Sequence, residues 1–266
     1  VDASTYALTM LTFSEVPAGE SFAVSATLFT TYLKCPQQAL ARLQGVYPQP
    51  SRASFRGALA HRVIARHLTD GPIEEEDLPL VCRQETGASL NGQLAAVGLK
   101  PSEFGAVVSE VSELYGRFRS LPTDDFDTAE LPFEEEVAEG IILRGRIDAI
   151  FGTRDESRIV DWKTGAELGP DVDAQLGFYA LAWRYRTGNA PVMTEAMSVR
   201  TGERVSARPT ASDLARTEHE VASMIIALRS ATSSGEELHR VAGPYCRWCP
   251  LLDTCPEGSA AVSLLD

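Results

Sequence analysis

Two short segments carry the residues best suited to chemistry: Gly145-Arg146-Ile147-Asp148 and Ile159-Val160-Asp161-Trp162-Lys163-Thr164-Gly165. The runs Ile141 to Phe151 and Ser157 to Lys163 read as two strands joined by the polar loop Gly152-Thr153-Arg154-Asp155-Glu156, a hairpin signature. Alternate residues of a strand share a face, so Asp161 and Lys163 point one way and Val160 and Trp162 the other. Asp148, on the preceding strand, can lie across from the first pair. Two carboxylates and an ammonium then converge at the end of a hairpin. Hard divalent cations such as Mg²⁺ take oxygen ligands, often one or two carboxylates together with substrate phosphate. Such a cation activates water and neutralises charge on a scissile phosphate. A lysine beside it can orient the water and stabilise developing negative charge. The same residues also fit a plain surface hairpin with a cross-strand Asp–Lys ion pair.

Three further groups have reactive composition. In Gln175-Leu176-Gly177-Phe178-Tyr179 the glutamine and tyrosine are one helical turn apart and share a face. An ordinary amphipathic helix with a half-buried tyrosine would look the same. In Gly57-Ala58-Leu59-Ala60-His61 the histidine falls on the inward face with Ala58, Ala65 and Leu68, as a core histidine or a ligand would. The tail Tyr245-Cys246-Arg247-Trp248-Cys249-Pro250-Leu251-Leu252-Asp253-Thr254-Cys255-Pro256 supplies three thiolates, and Cys35 is the natural fourth. Zinc and an iron–sulfur cluster both accept four cysteines, and spacing alone does not separate them. Cys82, in Leu80-Val81-Cys82, has no partner motif and reads as a small core residue.

Taken in order, these motifs resemble the PD-(D/E)XK nuclease superfamily in its RecB-like branch, which includes AddAB and the CRISPR-associated iron–sulfur exonucleases. Gly57-x-x-x-His61, Gly145-x-x-Asp148, Asp161-x-Lys163 and Gln175-x-x-x-Tyr179 match that branch, and Ile147 stands where the superfamily's eponymous proline would be. The match runs from Cys35 to Cys255. The resemblance implies a restriction-endonuclease-like α/β fold, a mixed sheet core flanked by helices. It also implies that a four-cysteine iron–sulfur site joins the N-terminal helical segment to the C-terminal tail. His61, Asp148, Asp161 and the Trp162 carbonyl are expected to hold Mg²⁺ or Mn²⁺, the imidazole tilting preference toward Mn²⁺. Lys163 is expected to position water, Gln175 to support the lysine, and Tyr179 to contact the DNA backbone or the site. Cys35, Cys246, Cys249 and Cys255 are expected to bind a 4Fe–4S cluster, with Zn²⁺ as the rival. The implied activity is metal-dependent hydrolysis of DNA, as an exonuclease on single strands or ends in repair or recombination. A non-catalytic iron–sulfur DNA-end-binding module is the alternative, as is the nuclease subunit of a helicase–nuclease. No Gly-Lys-Ser/Thr phosphate loop is present, so the chain has no motor of its own, and a helicase or recombination protein is the partner that reading would bring.

The elements that must position these residues follow from periodicity. Helical spacing runs from Ser25 to Leu43, from about Ser54 to Leu68 and from about Glu103 to Arg119, with an acidic, proline-containing loop after the second and a turn-rich passage to Glu130 after the third. Val172 to Arg186 reads as a helix, Met193 to Arg200 and Arg204 to Arg208 as strands, and Ser212 to Ser230 as a helix that Ser212 could cap. One domain over residues 1–266 is expected: a helical part at 25–130, a catalytic sheet and helix at 131–210, and a helix with a cysteine-rich tail at 211–266. The net charge of −13 opposes simple phosphate binding, which draws on Lys and Arg, so DNA contact requires a local arginine groove or a partner. No apolar run spans a bilayer, and Val1 to Met10 lacks the basic-then-apolar order of a signal peptide, so a cytoplasmic protein is expected. The chain starts without Met, as a processed product or a piece of a longer polypeptide would.

Overall fold

A computed structural model of the chain describes residues 10–265; the leader reading of Val1 to Met10 therefore lies almost wholly outside the described residues. The first helical segment is two helices, α1 (Ala26–Lys34) and α2 (Pro36–Leu43), rather than one. Pro36 is the cause. The residue before a proline is pushed out of the α region, and Cys35 is extended at φ −157° and ψ 105°. The break leaves the Cys35 side chain at a helix junction instead of on a helix face. Strand β1 (Phe22–Val24) precedes α1, and Ser25 between them accepts a hydrogen bond from the Leu28 amide as the helix cap.

Helix α3 (Arg52–Asp70) carries the Gly-x-x-x-His motif and buries Phe55, Leu59, Ala60, Val63 and Ile64. The stretch read as an acidic loop folds further into α4 (Leu78–Glu85) and α5 (Asn91–Val97), and α6 (Pro101–Phe118) follows. Cys82 is fully buried on α4, as its apolar surroundings suggested.

The catalytic sheet starts earlier than the sequence indicated. Strand β2 (Phe126–Ala138) begins inside the passage read as turns and runs through Glu134-Glu135-Glu136. It pairs antiparallel with β3 (Ile141–Phe151), which pairs antiparallel with β4 (Arg158–Lys163). After α7 (Val172–Thr187), β5 (Met193–Ser198) lies parallel to β4 and β6 (Arg204–Ala207) antiparallel to β5. Helix α8 (Ala211–Ser234) is capped by Thr210, whose hydroxyl accepts from the Asp213 amide, and not by Ser212. A short α9 (Pro256–Ser263) ends the described tail. Among the described residues the result is a mixed six-stranded sheet, and no helix is long and apolar enough to cross a membrane.

Helices cover both faces of that sheet. On one side α1, α7 and α8 pack over Ile141, Leu143, Ile147 and Ile159; on the other, α3, α4 and α6 pack over Ala149, Phe151, Val160 and Trp162. Helix α7 lies under α1 and α8 and is buried almost all round, from Leu176 to Trp183. Its close approach to α8 needs Gly177, because a Cβ there would sit 2.9 Å from Thr217 Oγ1.

One irregularity positions the chemistry. Along β3, Ile147 packs into the first layer and Ala149 into the second, so side-chain alternation breaks around Asp148. The partner strand breaks at the matching point. Ala129 pairs with Ala149 and Leu131 with Ile147, which puts Glu130 opposite Asp148, and Glu130 takes a left-handed backbone at φ 52°. Non-glycine residues adopt that region rarely, and at some conformational cost.

Candidate active site and metal centre

Strand β3 pairs with β1 through Ile141–Leu143 and with β4 only from Ala149 onward, so Arg144 to Asp148 has neither neighbour on that edge. The ends of β3 and β4 splay there, and Asp148 fills the gap: its Oδ2 accepts a hydrogen bond from the Trp162 amide at 2.9 Å. Two glycines make room for the site. A Cβ on Gly57 would come within 3.1 Å of Thr164 Oγ1, so this glycine lets α3 seat His61 against the end of β4. A Cβ on Gly145 would lie 2.7 Å from the Phe133 ring, which crosses β3 at that position. Phe133 in turn packs edge-on against Tyr179, with ring centroids 6.3 Å apart.

The alternation read for β4 places Asp161 and Lys163 on the α7 side while Val160 and Trp162 enter the opposite layer. Gln175 ties them together. Its Oε1 accepts from Lys163 Nζ at 2.6 Å, and its Nε2 donates to Asp161 Oδ1 at 2.9 Å and to the Tyr179 hydroxyl at 3.0 Å. Lys163 Nζ also lies 2.8 Å from Asp161 Oδ2, yet that buried oxygen makes no contact of hydrogen-bond geometry. His61 Nδ1 approaches Asp148 Oδ1 at 3.2 Å from the other side. Tyr179 is 7% exposed, and its hydroxyl faces Gln175, so of its two expected roles only the one within the site has a geometric basis.

Sequence reasoning missed Glu130. One ligand atom from each of His61, Glu130 and Asp148 lies within 4.8 Å of the others, the one such group of three or more metal-binding residues among those described. Glu130 is also gripped through Oε2 by Arg62 at 3.0 Å and Arg146 at 3.1 Å.

The electrostatics show a site short of positive charge. Burial and the neighbouring Asp148 push Asp161 up to about 6, against the pull of Lys163. Burial alone would lower His61, but Asp148, Asp161 and Glu130 raise it to about 9. Asp148 is held below its ordinary value, because His61, the Trp162 amide and Lys163 outweigh its burial. Burial and the surrounding carboxylates push Tyr179 far up, so it stays a neutral phenol. Carboxylate oxygens, an imidazole nitrogen and mutual carboxylate repulsion together suit a hard or borderline divalent cation.

The four cysteines of the other expected site line one cavity with Tyr245, Arg240 and Gly258. Cys35 and Cys246 are buried and all are free thiols. Backbone amides of Gly243 and Gly258 point at Cys246 Sγ (3.4 Å) and Cys255 Sγ (3.3 Å). The structure does not display a closed four-cysteine ligand group, however: among the described residues no three thiol sulfurs lie within 4.8 Å of one another. The tail meets α1 and α2 at this cavity and through hydrogen bonds from the Tyr245 hydroxyl to the Lys34 carbonyl at 2.9 Å and from the Leu238 amide to Gln37 Oε1 at 2.7 Å, while Leu238 packs against the core.

Comparison with known proteins bears on the family and the fold. The family model of the PD-(D/E)XK nuclease superfamily matches residues 23–256. A crystal structure of a Eubacterium rectale protein described as a candidate exonuclease superposes with a TM-score of 0.52 at 14% identity, covering 86% of each chain, which shows a common fold. The Gene 69 proteins of Mycobacterium phages D29 and L5 are 48% and 51% identical over 59 and 53 residues. Those matches cover 22% and 20% of this chain and only 21% and 17% of the phage proteins.

Proposed function

We propose that this chain, which belongs to the PD-(D/E)XK nuclease superfamily, is a divalent-metal-dependent deoxyribonuclease that hydrolyses phosphodiesters of single-stranded DNA or DNA ends. The observation that carries the reading is the convergence of His61, Asp148, Asp161 and Lys163 where β3 and β4 splay, with Gln175 locking the lysine to the aspartate. His61, Asp148 and Asp161 would hold Mg²⁺ or Mn²⁺, with the Trp162 carbonyl as a further ligand. A cation bound there supplies Lewis-acid neutralisation of the phosphoryl oxygens and a lowered pKa for water. Lys163 presents its ammonium to the attacking water and to charge developing on the phosphate, and Gln175 fixes where that ammonium sits. Tyr179 stays protonated and holds Gln175 in turn. Exonucleolytic action in repair or recombination, alongside a helicase or recombination partner, belongs to the same reading and rests on the family resemblance.

The cysteine cavity belongs to the proposal as a 4Fe–4S site. Four thiols lining one cavity, with backbone amides aimed at two of them, suit a thiolate-ligated cluster, with Zn²⁺ as the rival. Its role would be structural, joining Cys35 to the tail across the whole nuclease core.

The test is digestion of end-labelled single- and double-stranded DNA by anaerobically purified protein with Mg²⁺, Mn²⁺ or EDTA, beside Asp161→Ala and Lys163→Ala. Cation-dependent cutting lost in both variants is expected, with visible absorbance and bound iron in the same preparation. Cutting that survives Asp161→Ala would refute the active-site assignment. Absence of cutting by a folded, iron-loaded protein would favour the DNA-end-binding module.

A further inference from the structure

The acidic balance of this chain leaves open how it grips a polyanion. Its arginines answer in part, because most of those near the site are spent on acids. Arg52 and Arg56 both pair with Glu110, and Arg66 pairs with Asp70 and Glu85. Among the described residues, Arg62 and Arg146 meet beside His61 and Asp148 where the strands splay, and both bind one oxygen of one carboxylate, Glu130 Oε2. Arg62 follows His61 on α3; Arg146 lies two residues before Asp148 on β3.

Two guanidinium groups around one anionic oxygen is the arrangement by which arginines bind phosphate. We propose that Arg62 and Arg146 hold a DNA phosphate beside the metal site, and that in the free protein the Glu130 carboxylate stands in for that phosphate. The inference rests on the nuclease reading above and adds to it the residues that receive the strand. Position supports it: a Glu130 carboxylate oxygen lies within 4.8 Å of ligand atoms on both His61 and Asp148, so an anion replacing it would adjoin the cation. Access supports it too, since the Arg62 and Arg146 side chains are 27% and 46% exposed, whereas Glu130 is only 14% exposed beneath them. Exchanging a carboxylate for a phosphate leaves the arginines neutralised throughout, which lets a protein of net charge −13 bind DNA without a broad basic face.

The experiment is fluorescence anisotropy of a labelled single-stranded oligonucleotide in EDTA, where no cutting occurs, over a range of salt concentrations. Glu130→Gln removes the stand-in charge and is expected to tighten binding several-fold at low salt. Arg62→Ala and Arg146→Ala are expected to weaken it, and each should reduce the log–log salt slope by about 0.7, the increment for one single-strand phosphate contact. Arg146→Lys keeps the charge but not the fork, so it should restore the slope without restoring full affinity. Thermal melting of each variant identifies any that fail to fold, and Arg146→Lys serves where an alanine variant does. Unchanged or weaker binding by folded Glu130→Gln, with salt slopes equal to wild type in the arginine variants, would overturn the proposal and leave the pair as a brace for the left-handed backbone at Glu130. If wild type never cuts DNA with any cation and these binding shifts still appear, the nuclease reading fails and the phosphate site stands. Intact cutting without the shifts has the opposite meaning.

Discussion

Gln175 accepts a hydrogen bond from Lys163 at 2.6 Å with the oxygen of its carboxamide, while the nitrogen of the same group donates to Asp161. One planar group therefore sets the separation and orientation of the two residues of the Asp-x-Lys motif. Gln175→Ala should lower kcat by about 10–100-fold, the usual cost of losing a partner that orients a metal-site residue, with little change in KM for DNA. Gln175→Glu should be no rescue, because a carboxylate can receive Lys163 but has nothing to donate to Asp161 and repels it. Steady-state kinetics of the two variants with Mn²⁺ checks this; wild-type kcat in either would mean that Lys163 is positioned by its own strand.

Gly145 matters through Phe133. An alanine Cβ at 145 would meet the ring at 2.7 Å, and that ring supports Tyr179, whose hydroxyl holds Gln175. Overpacking of this kind costs about 1–3 kcal/mol. Gly145→Ala should therefore lower the melting temperature and also reduce cutting, whereas the double variant Gly145→Ala with Phe133→Leu should recover part of both. Chemical denaturation alongside the DNA digestion assay would show whether the two losses move together.

Much of this site could be read from period and residue type. Alternation put Asp161 and Lys163 on one face of β4, the polar loop marked the β3–β4 hairpin, and helical spacing aligned Gln175 with Tyr179. Glu130 could not be read that way. It is an isolated acid between Ala129 and Leu131, and what brings it to the site is a left-handed backbone and its register opposite Asp148, neither of which has a periodic signature. Strand β2 was hidden for a related reason: it pairs only with β3, and a strand with one free edge tolerates Pro132 and the Glu134-Glu135-Glu136 run that otherwise suggest a loop. The split between α1 and α2 was missed by helical spacing, although Pro36 carries its signal, since the restraint a proline places on the preceding residue is local.

Stability of the metal-free protein should fall with rising pH in two windows. Asp161 is raised to about 6 and His61 to about 9, each above its ordinary value. A group whose pKa rises on folding contributes stability that is complete below its unfolded value and is lost as pH climbs through the folded one. Asp161 thus acts between about 4 and 6, and His61 between about 6.5 and 9, each at no more than about 1.4 kcal/mol per pH unit. Other titrating groups add their own slopes, so the measurement is the difference between wild type and His61→Gln in EDTA. Above pH 6.5 wild type should lose stability faster than the variant, and Mn²⁺ should protect wild type more as pH rises, because the cation replaces the proton on His61. Parallel curves would mean that His61 is not charged in the free protein.

The cysteine cavity makes a prediction about where the chain comes apart. The tail from Leu238 onward is joined to α1 and α2 through the cavity lined by Cys35, Cys246, Cys249 and Cys255 and through the Tyr245 and Gln37 hydrogen bonds, whereas the sheet is packed by α3, α6, α7 and α8. A bound cluster would close a chain segment of more than two hundred residues, and the entropy of closing a loop grows only slowly with its length. Its main effect should therefore be on the tail it holds locally. Cys246→Ser should lose iron and become sensitive to protease after Ser234, where α8 ends, while the sheet core survives as a shorter fragment. Tyr245→Phe should keep iron and lose about 0.5–1.5 kcal/mol, the usual contribution of one hydrogen bond. Limited proteolysis with mass analysis of the fragments, beside iron determination, separates these cases. Digestion of the whole Cys246→Ser chain, with no resistant core, would instead make the cysteines part of what folds the nuclease domain.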